Sequence, residues 1–380
     1  MKLTITGSAM TTCVGLDKAS SFASFCAGIS GRKPLQFFPA EHFNVRFAYE
    51  IADGPDRTLR ASELLAKAVA DAIADAALIP EPGRCAVLVG TGLRELRSLE
   101  LSWTEGRSMT VDQLHFENAL NSALGIALPV ITVCNACAAS NFTLALAEDF
   151  IRDNAYDCLI VAGCDTITES MFGLLDRVNP LHPDEVRPFD RDRKGVLMGD
   201  GAAAVVLETP AHAAARGARA LAVLAGVGTS CDANHETAPD VDGISRAVGN
   251  AYERAGIGAA DVHFIMAHGT GTSLNDKTEA VALRAALGDA QLRATPLSAI
   301  KSMTGHTSGA SGLIGVVTAI ESLRTGQVPP TARFSHPMEE AADLDIIHGE
   351  ARTLPEARIA QVDAFGFGGV NAVAILEKSE

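Results

Sequence analysis

Two stretches of this chain echo each other at one fixed spacing, which commits the fold to a unit used twice. Gly90-Thr91-Gly92 follows Ala68-Val69 at the same interval at which Gly269-Thr270-Gly271 follows Ala247-Val248. A second echo pairs Gly201-Ala202-Ala203-Ala204-Val205-Val206-Leu207-Glu208 with Gly369-Val370-Asn371-Ala372-Val373-Ala374-Ile375-Leu376-Glu377. One echo in a chain rich in Ala and Gly could be chance; two in the same order point to duplication. Between these markers, apolar helical runs alternate with short β-rich runs such as Cys85–Val89 and Cys158–Ala162, which is the α/β pattern. Thr209-Pro210-Ala211-His212 interrupts the strand pattern, so halves spanning 1–210 and 211–380 are predicted. No linker rich in Gly and Ser separates them. They are expected to pack as one body, with chemistry at the shared seam.

Composition narrows the class. With 380 residues and 47% apolar content, a large core forms without staples. No stretch reaches the roughly 20 apolar residues of a membrane helix, and a cytoplasmic location is expected. Eight cysteines, mostly in apolar surroundings, read as reduced thiols and not as a secreted disulfide framework. A net charge of −15 argues against nucleic acid as the partner. An acidic partner would need a local basic patch.

Four segments carry candidate chemistry. In Val130–Phe142 a β-branched run turns through small residues into a helical pattern, placing Cys137 at a helix N-terminus. There the helix dipole is expected to lower the thiol pKa and activate the sulfur. A buried structural cysteine is the alternative, as is a redox or metal pair with Cys134, although no metal site is predicted because further ligands at matching spacing are lacking. In Ile265–Glu279 a strand ends at His268 and a glycine and hydroxyl loop follows, putting an imidazole at a strand's carboxyl end, where crevices form in α/β sheets. In Pro296–Gly312 another strand enters a small-residue turn, with Lys301 inside an apolar run and His306 before an apolar helix. His306 follows Cys137 at nearly the interval that separates the closing glycines Gly201 and Gly369, so a pseudo-twofold is expected to bring the two face to face. Finally, Ala364–Asn371 is a glycine loop with two interleaved phenylalanines; it matches no nucleotide fingerprint and is expected to bring backbone N–H groups close to a reacting atom.

Together Asn135-Ala136-Cys137-Ala138-Ala139-Ser140, His268-Gly269-Thr270-Gly271-Thr272, Lys301-Ser302-Met303-Thr304-Gly305-His306 and Phe365-Gly366-Phe367-Gly368-Gly369-Val370-Asn371 resemble the signatures of the β-ketoacyl synthases, supported by Arg187-Pro188-Phe189-Asp190. That family belongs to the thiolase-like condensing enzymes, so the resemblance implies a duplicated thiolase-like fold with five layers, α/β/α/β/α. It implies Cys137 as the acyl-accepting nucleophile, His268 and His306 as the pair promoting malonyl decarboxylation, and Lys301 as their electrostatic support. Phe367 resembles the gating phenylalanine, its N–H and that of Cys137 forming an oxyanion hole, and Thr270 and Thr272 resemble the hydroxyls that hold a pantetheine arm. No cofactor of its own is implied, since 4′-phosphopantetheine arrives on an acyl carrier protein.

The reaction expected is decarboxylative condensation in fatty acid or polyketide assembly. A non-catalytic chain-length partner and a ketosynthase-like acyltransferase are the alternatives; Cys137 argues against the first, and retention of both histidines against the second. A dimer is expected, with itself or with a chain-length factor. Arg57, Arg60, Arg191, Arg193 and Lys194 are the candidate carrier-docking patch. The sequence departs from the family pattern at Asn135, where threonine is usual, at Asp200, where glutamate is, and at Gly315, where many relatives carry glutamate. Leu93–Arg97 also replaces an expected glycine-rich stretch, so chain-length preference does not carry over.

Overall fold

The computed structural model describes residues 2–106, 108–179 and 181–379; the outermost residues of the two expected halves, Met1 and Glu380, lie outside them. Ten strands form the main sheet: β1 (Leu3–Thr12), β2 (Cys85–Thr91), β3 (Val130–Cys134), β4 (Cys158–Asp165), β5 (Gly201–Glu208), β6 (Ala222–Cys231), β7 (Phe264–Met266), β8 (Leu297–Ser298), β9 (Ile359–Gly366) and β10 (Val370–Lys378). Their order is β8-β7-β9-β10-β6-β1-β5-β4-β2-β3. Outward from the central β1–β6 pair, the orders 1-5-4-2-3 and 6-10-9-7-8 are the same path, each strand matching the one five places later. Directions agree too. β1, β5 and β4 run antiparallel in turn, as do β6, β10 and β9, while β2 and β3, like β7 and β8, continue in parallel. The halves join where Leu3, Thr4 and Ile5 pair with Leu224, Val223 and Ala222.

Five helices complete the frame: α1 (Arg60–Asp75), α2 (Ala139–Arg152), α3 (Val241–Ala255), α4 (Ser273–Leu287) and α5 (Ser311–Thr325). The two-residue period of the strands sorts side chains into layers. Leu159, Val161, Ala203, Val205 and Leu207 face a core shared with Leu144 of α2 and Leu313 of α5. Their neighbours Ile160, Ala162, Ala202, Ala204 and Val206 face the opposite way, onto Leu64, Leu65 and Val69 of α1. In the second half Val373 and Ile375 meet Ile244 and Val248 of α3. Helices α2 and α5 each touch strands from both half-sheets, so the layers run α1, half-sheet, α2 with α5, half-sheet, α3: the five-layered thiolase-like arrangement. Ala68-Val69 and Ala247-Val248 are wholly buried faces of the equivalent helices α1 and α3. Gly90-Thr91-Gly92 and Gly269-Thr270-Gly271 sit at the carboxyl ends of the equivalent strands β2 and β7. Among the described residues, no helix is long and apolar enough to cross a membrane.

Candidate active site

The nucleophile candidate stands on a forced turn. After β3, a 3-10 turn over Ala136–Ala138 leads directly into α2, and Ala136 adopts φ 48°. A side chain in the left-handed region costs about 1 kcal/mol or more, so packing holds it there. The second half repeats the device: Ser308 adopts φ 49° and a 3-10 turn over Ser308–Ala310 leads into α5. The interval from Ala136 to Ser308 is slightly longer than that from Cys137 to His306, which corrects the expectation that His306 is the counterpart of Cys137. Gly309 holds that position, and His306 lies just before the repeated turn because the segments leading into the two turns differ in length.

The two turns cross to opposite halves. Gly309 donates its N–H to Asp165 Oδ2 at the end of β4, at 2.6 Å. A Cβ on Gly309 would stand 2.6 Å from the Thr91 backbone, so only glycine fits. In the mirrored contact, Cys137 meets the end of β9, where the strand closes on Gly366 instead of an aspartate; a Cβ there would stand 3.2 Å from the Cys137 nitrogen. What Asp165 fills with a carboxylate oxygen in one half, Gly366 leaves open beside Cys137 in the other. The N–H groups of Phe367 and of Cys137 itself favour negative charge on the Cys137 sulfur. Phe367, 42% exposed, sits on the glycine loop at the mouth.

The thiol departs from expectation in its acidity. Burial dominates and pushes Cys137 up to about 11, against the lowering influence of Lys301 and the Phe367 N–H. The helix N-terminus therefore does not produce a resting thiolate, and the sulfur must lose its proton as it reacts. Its neighbour Cys134 is exposed and its sulfur accepts from Arg94 Nε at 2.9 Å; all eight cysteines are free thiols.

The histidines share this space. The ring centroids of His268 and His306 are 5.6 Å apart and nearly perpendicular. His306 is anchored across the seam, its N–H on Leu197 O at 2.8 Å and its carbonyl accepting from Gly199 N at 3.0 Å. The Ser308 N–H donates to His306 Nδ1 at 3.2 Å, and the Phe365 N–H donates to His268 Nδ1 at 3.3 Å. An amide N–H can only donate, so both Nδ1 atoms accept and both rings carry their hydrogen on Nε2. Burial and the nearby Lys301 charge hold both imidazoles well below their usual pKa, hence neutral. Lys301, itself buried, meets His268 O at 2.5 Å and His268 Nδ1 at 3.3 Å. Burial lowers its pKa, while the charges of Glu279, Cys137, Asp276 and Asp363 pull it back up.

Carboxylates from the first two turns of α4 string the His268 loop in place. Glu279 accepts the N–H groups of His268 and Gly269, and Asp276 those of Thr270, Gly271 and Phe189. Sequence reasoning assigned no role to Asp276, Glu279, Asp165 or Asp363. A signal existed for the first two: acidic residues in the opening turns of a helix that follows a glycine loop have free N–H groups to hold. Asp165, pushed up to about 6 by burial, and Asp363 carried no such local signal. Thr270 and Thr272 place their hydroxyls 2.9 Å apart, and Thr272 also caps α4.

The candidate docking patch needs correction. Arg60 is 3% exposed and pairs with Asp200 and Asp53 in the interior, so it cannot face a partner. Arg193 is also withdrawn from the surface role: its guanidinium holds the carbonyls of Asp190, Thr272 and Ser273. Arg57 bridges Asp53 and Glu63. Arg191 and Lys194 remain exposed, beside Asp192 and Asp184. Asp200, the departure at the turn, accepts from Ile51, Ile167 and Arg60 and is explained by that buried pair. Among the described residues, no group of three or more His, Cys, Asp or Glu side chains could hold a metal ion.

Two family models match the chain. The model for the N-terminal domain of β-ketoacyl synthases matches residues 50–213, and that for the C-terminal domain matches 221–335. Nodulation protein E of Rhizobium meliloti is 38% identical over 255 residues, covering 67% of this chain and 63% of that protein. The match thus spans under two thirds of that relative's length. The 3-oxoacyl-[acyl-carrier-protein] synthase 2 of Vibrio cholerae is 29% identical over 99% of both chains. A solved structure described as the ishigamide ketosynthase/chain length factor superposes with a TM-score of 0.91 at 32% identity, covering 100% of this chain and 99% of that one.

Proposed function

The chain belongs to the β-ketoacyl synthase family, and from that premise we propose that it joins an acyl group held on Cys137 to a malonyl thioester with loss of carbon dioxide, its halves 1–210 and 211–380 working as one body. The observation that carries this reading is the pair of neutral imidazoles, each with Nδ1 occupied by an amide N–H and Nε2–H left to donate. In the first step the Cys137 sulfur attacks the acyl thioester carbonyl; the new C–S bond forms, the carrier's thiol leaves, and the sulfur's proton passes to it. The N–H groups of Cys137 and Phe367 hold the developing oxyanion. In the second, His268 and His306 donate through Nε2 to the malonyl thioester oxygen. The carboxylate leaves as carbon dioxide, and the electron pair it leaves behind is delocalised onto that oxygen. The resulting carbanion attacks the acyl-enzyme carbonyl, forming the C–C bond and expelling Cys137 as a thiolate, which takes a proton from solvent to restore the resting thiol. Neutral donors suit this step because an imidazolium would offer the carbanion a proton. Thr270 and Thr272 are placed to steady a pantetheine arm, and the Phe367 ring to gate the mouth.

An acyl carrier protein is the proposed supplier, docking over Arg191 and Lys194, and a dimer with itself or with a chain-length factor is the proposed assembly, in the cytoplasm. The family's fatty acid and polyketide relatives make either pathway a home for it. The test is to incubate the purified chain with an acyl and a malonyl carrier protein and measure the product by mass. A β-ketoacyl product two carbons longer supports the reading. Acyl exchange with no chain extension would replace it with an acyltransferase, and no acylation at all with a non-catalytic partner.

A further inference from the structure

Beside Lys301 lies a small cavity that the reaction above does not use. Its lining includes Met266, Lys301, Thr304, Thr307, Gly315 and Asp363, and its free volume of about 10 Å³ is that of one water molecule. Two polar groups lining it are incompletely satisfied. Asp363 Oδ2 is buried and receives no hydrogen bond from any described residue. Its other oxygen is fixed: Tyr252 Oη donates to Gln361 Oε1 at 2.6 Å, and Gln361 Nε2 donates to Asp363 Oδ1 at 2.8 Å. Lys301 has three N–H donors; two are taken by His268, through O and Nδ1. The third is left for the cavity that Lys301 lines. Gly315 keeps that space open, since a Cβ there would stand 2.9 Å from Val362 Cγ1.

We propose that the cavity holds one ordered water bridging Lys301 Nζ to Asp363 Oδ2, and that Asp363 is a positioning residue that keeps Lys301 charged beside His268. The water accepts from Lys301 and donates to Asp363, with Thr304 and Thr307 beside it, so each group gains the partner it lacks. A carboxylate one water away opposes the burial that would otherwise strip Lys301 of its proton. The other charged or titratable groups around Lys301 are Glu279 and Asp276 from α4, Cys137 from the first half, and His268 and His306. Glu279 and Asp276 are already committed to the loop amides. Asp363 is the one whose free oxygen shares a cavity with the ammonium.

The proposal rests on the active-site reading for its purpose, but its test does not need condensation to occur. Alkylation of Cys137 by iodoacetamide, followed by peptide mass, rises with pH until Lys301 loses its proton and then bends, because the two proton losses compete. Asp363→Asn keeps the shape and the Gln361 contact while removing the charge. It should move that bend down by about one pH unit, and the alkaline limb of malonyl decarboxylation should follow it. Asp363→Ser, smaller but equally uncharged, should do the same and serves if the first variant folds poorly, thermal unfolding reporting on both. An unmoved bend in a folded variant overturns the proposal, whatever happens to stability. So does a high-resolution crystal structure with no water between Nζ and Oδ2. A wild-type chain that shows the bend but never extends an acyl group refutes the condensation reading alone.

Discussion

At the scale of single residues the chemistry depends on who donates to Nδ1. With an amide N–H on Nδ1 of each histidine, the proposed contribution of each ring is its Nε2–H donor. His306→Ala is expected to slow malonyl decarboxylation by about 10²–10³-fold while acyl transfer to Cys137 persists; loss of both rates together would assign His306 to the first step. The pH dependence follows from the direction of the shifts. Both imidazoles are held well below their usual pKa, so the neutral, donating form is present above that lowered value and is lost only as pH falls through it. Decarboxylation should therefore show no acid limb near pH 6.5, the ordinary histidine value, and a histidine-like decline there would contradict the assignment. That Cys137, His268, His306 and Lys301 are candidates was legible in the sequence because each sits in a motif of small residues that leaves space around it. The acidity of Cys137 was not. A helix N-terminus can be read from a pattern, but the burial that outweighs it comes in part from Gly366 and Phe367 in the opposite half, far along the chain.

At the scale of elements the Cys137 turn is one of a pair. Ala136 and Ser308 share a left-handed backbone, and the turns they begin reach into opposite halves, one ending on Gly366 and the other on Asp165. The two strand ends present different groups to these turns, a bare glycine in one half and a carboxylate in the other. Gly366→Ala would place a methyl 3.2 Å from the Cys137 nitrogen and is expected to cut acylation by about 10²-fold, the scale of one lost oxyanion donor, with thermal stability little changed. An unchanged acylation rate would remove the Cys137 N–H from that role. The repeat itself was plain in the sequence through its glycine markers. Its register at the turns was not, because the interval from Cys137 to His306 relates two motifs, while the backbone repeats from Ala136 to Ser308.

At the scale of the whole molecule, two halves are bolted together by buried polar groups as well as by apolar layers. Within the first half, Arg60 shows how far buried pairing escapes a linear reading: it looked like surface charge until folding put it on Asp200, 140 residues away. Asp200→Asn leaves that guanidinium buried with one charged partner fewer and should cost about 3–5 kcal/mol, visible as a lower thermal midpoint; a change near zero would mean that Arg60 finds water. On the outside, Arg191→Glu should weaken carrier-protein binding, less so as salt rises, and unaltered affinity at low salt would remove that residue from the interface. If the sulfur and the two imidazoles act in sequence at one site, the mass of the Cys137 peptide, followed after an acyl donor and then malonyl carrier protein are added, reports it. Expected is an acyl adduct on Cys137 that malonyl carrier protein discharges in the wild type and cannot discharge in His306→Ala. An adduct on another residue, or one discharged equally in both proteins, would contradict it.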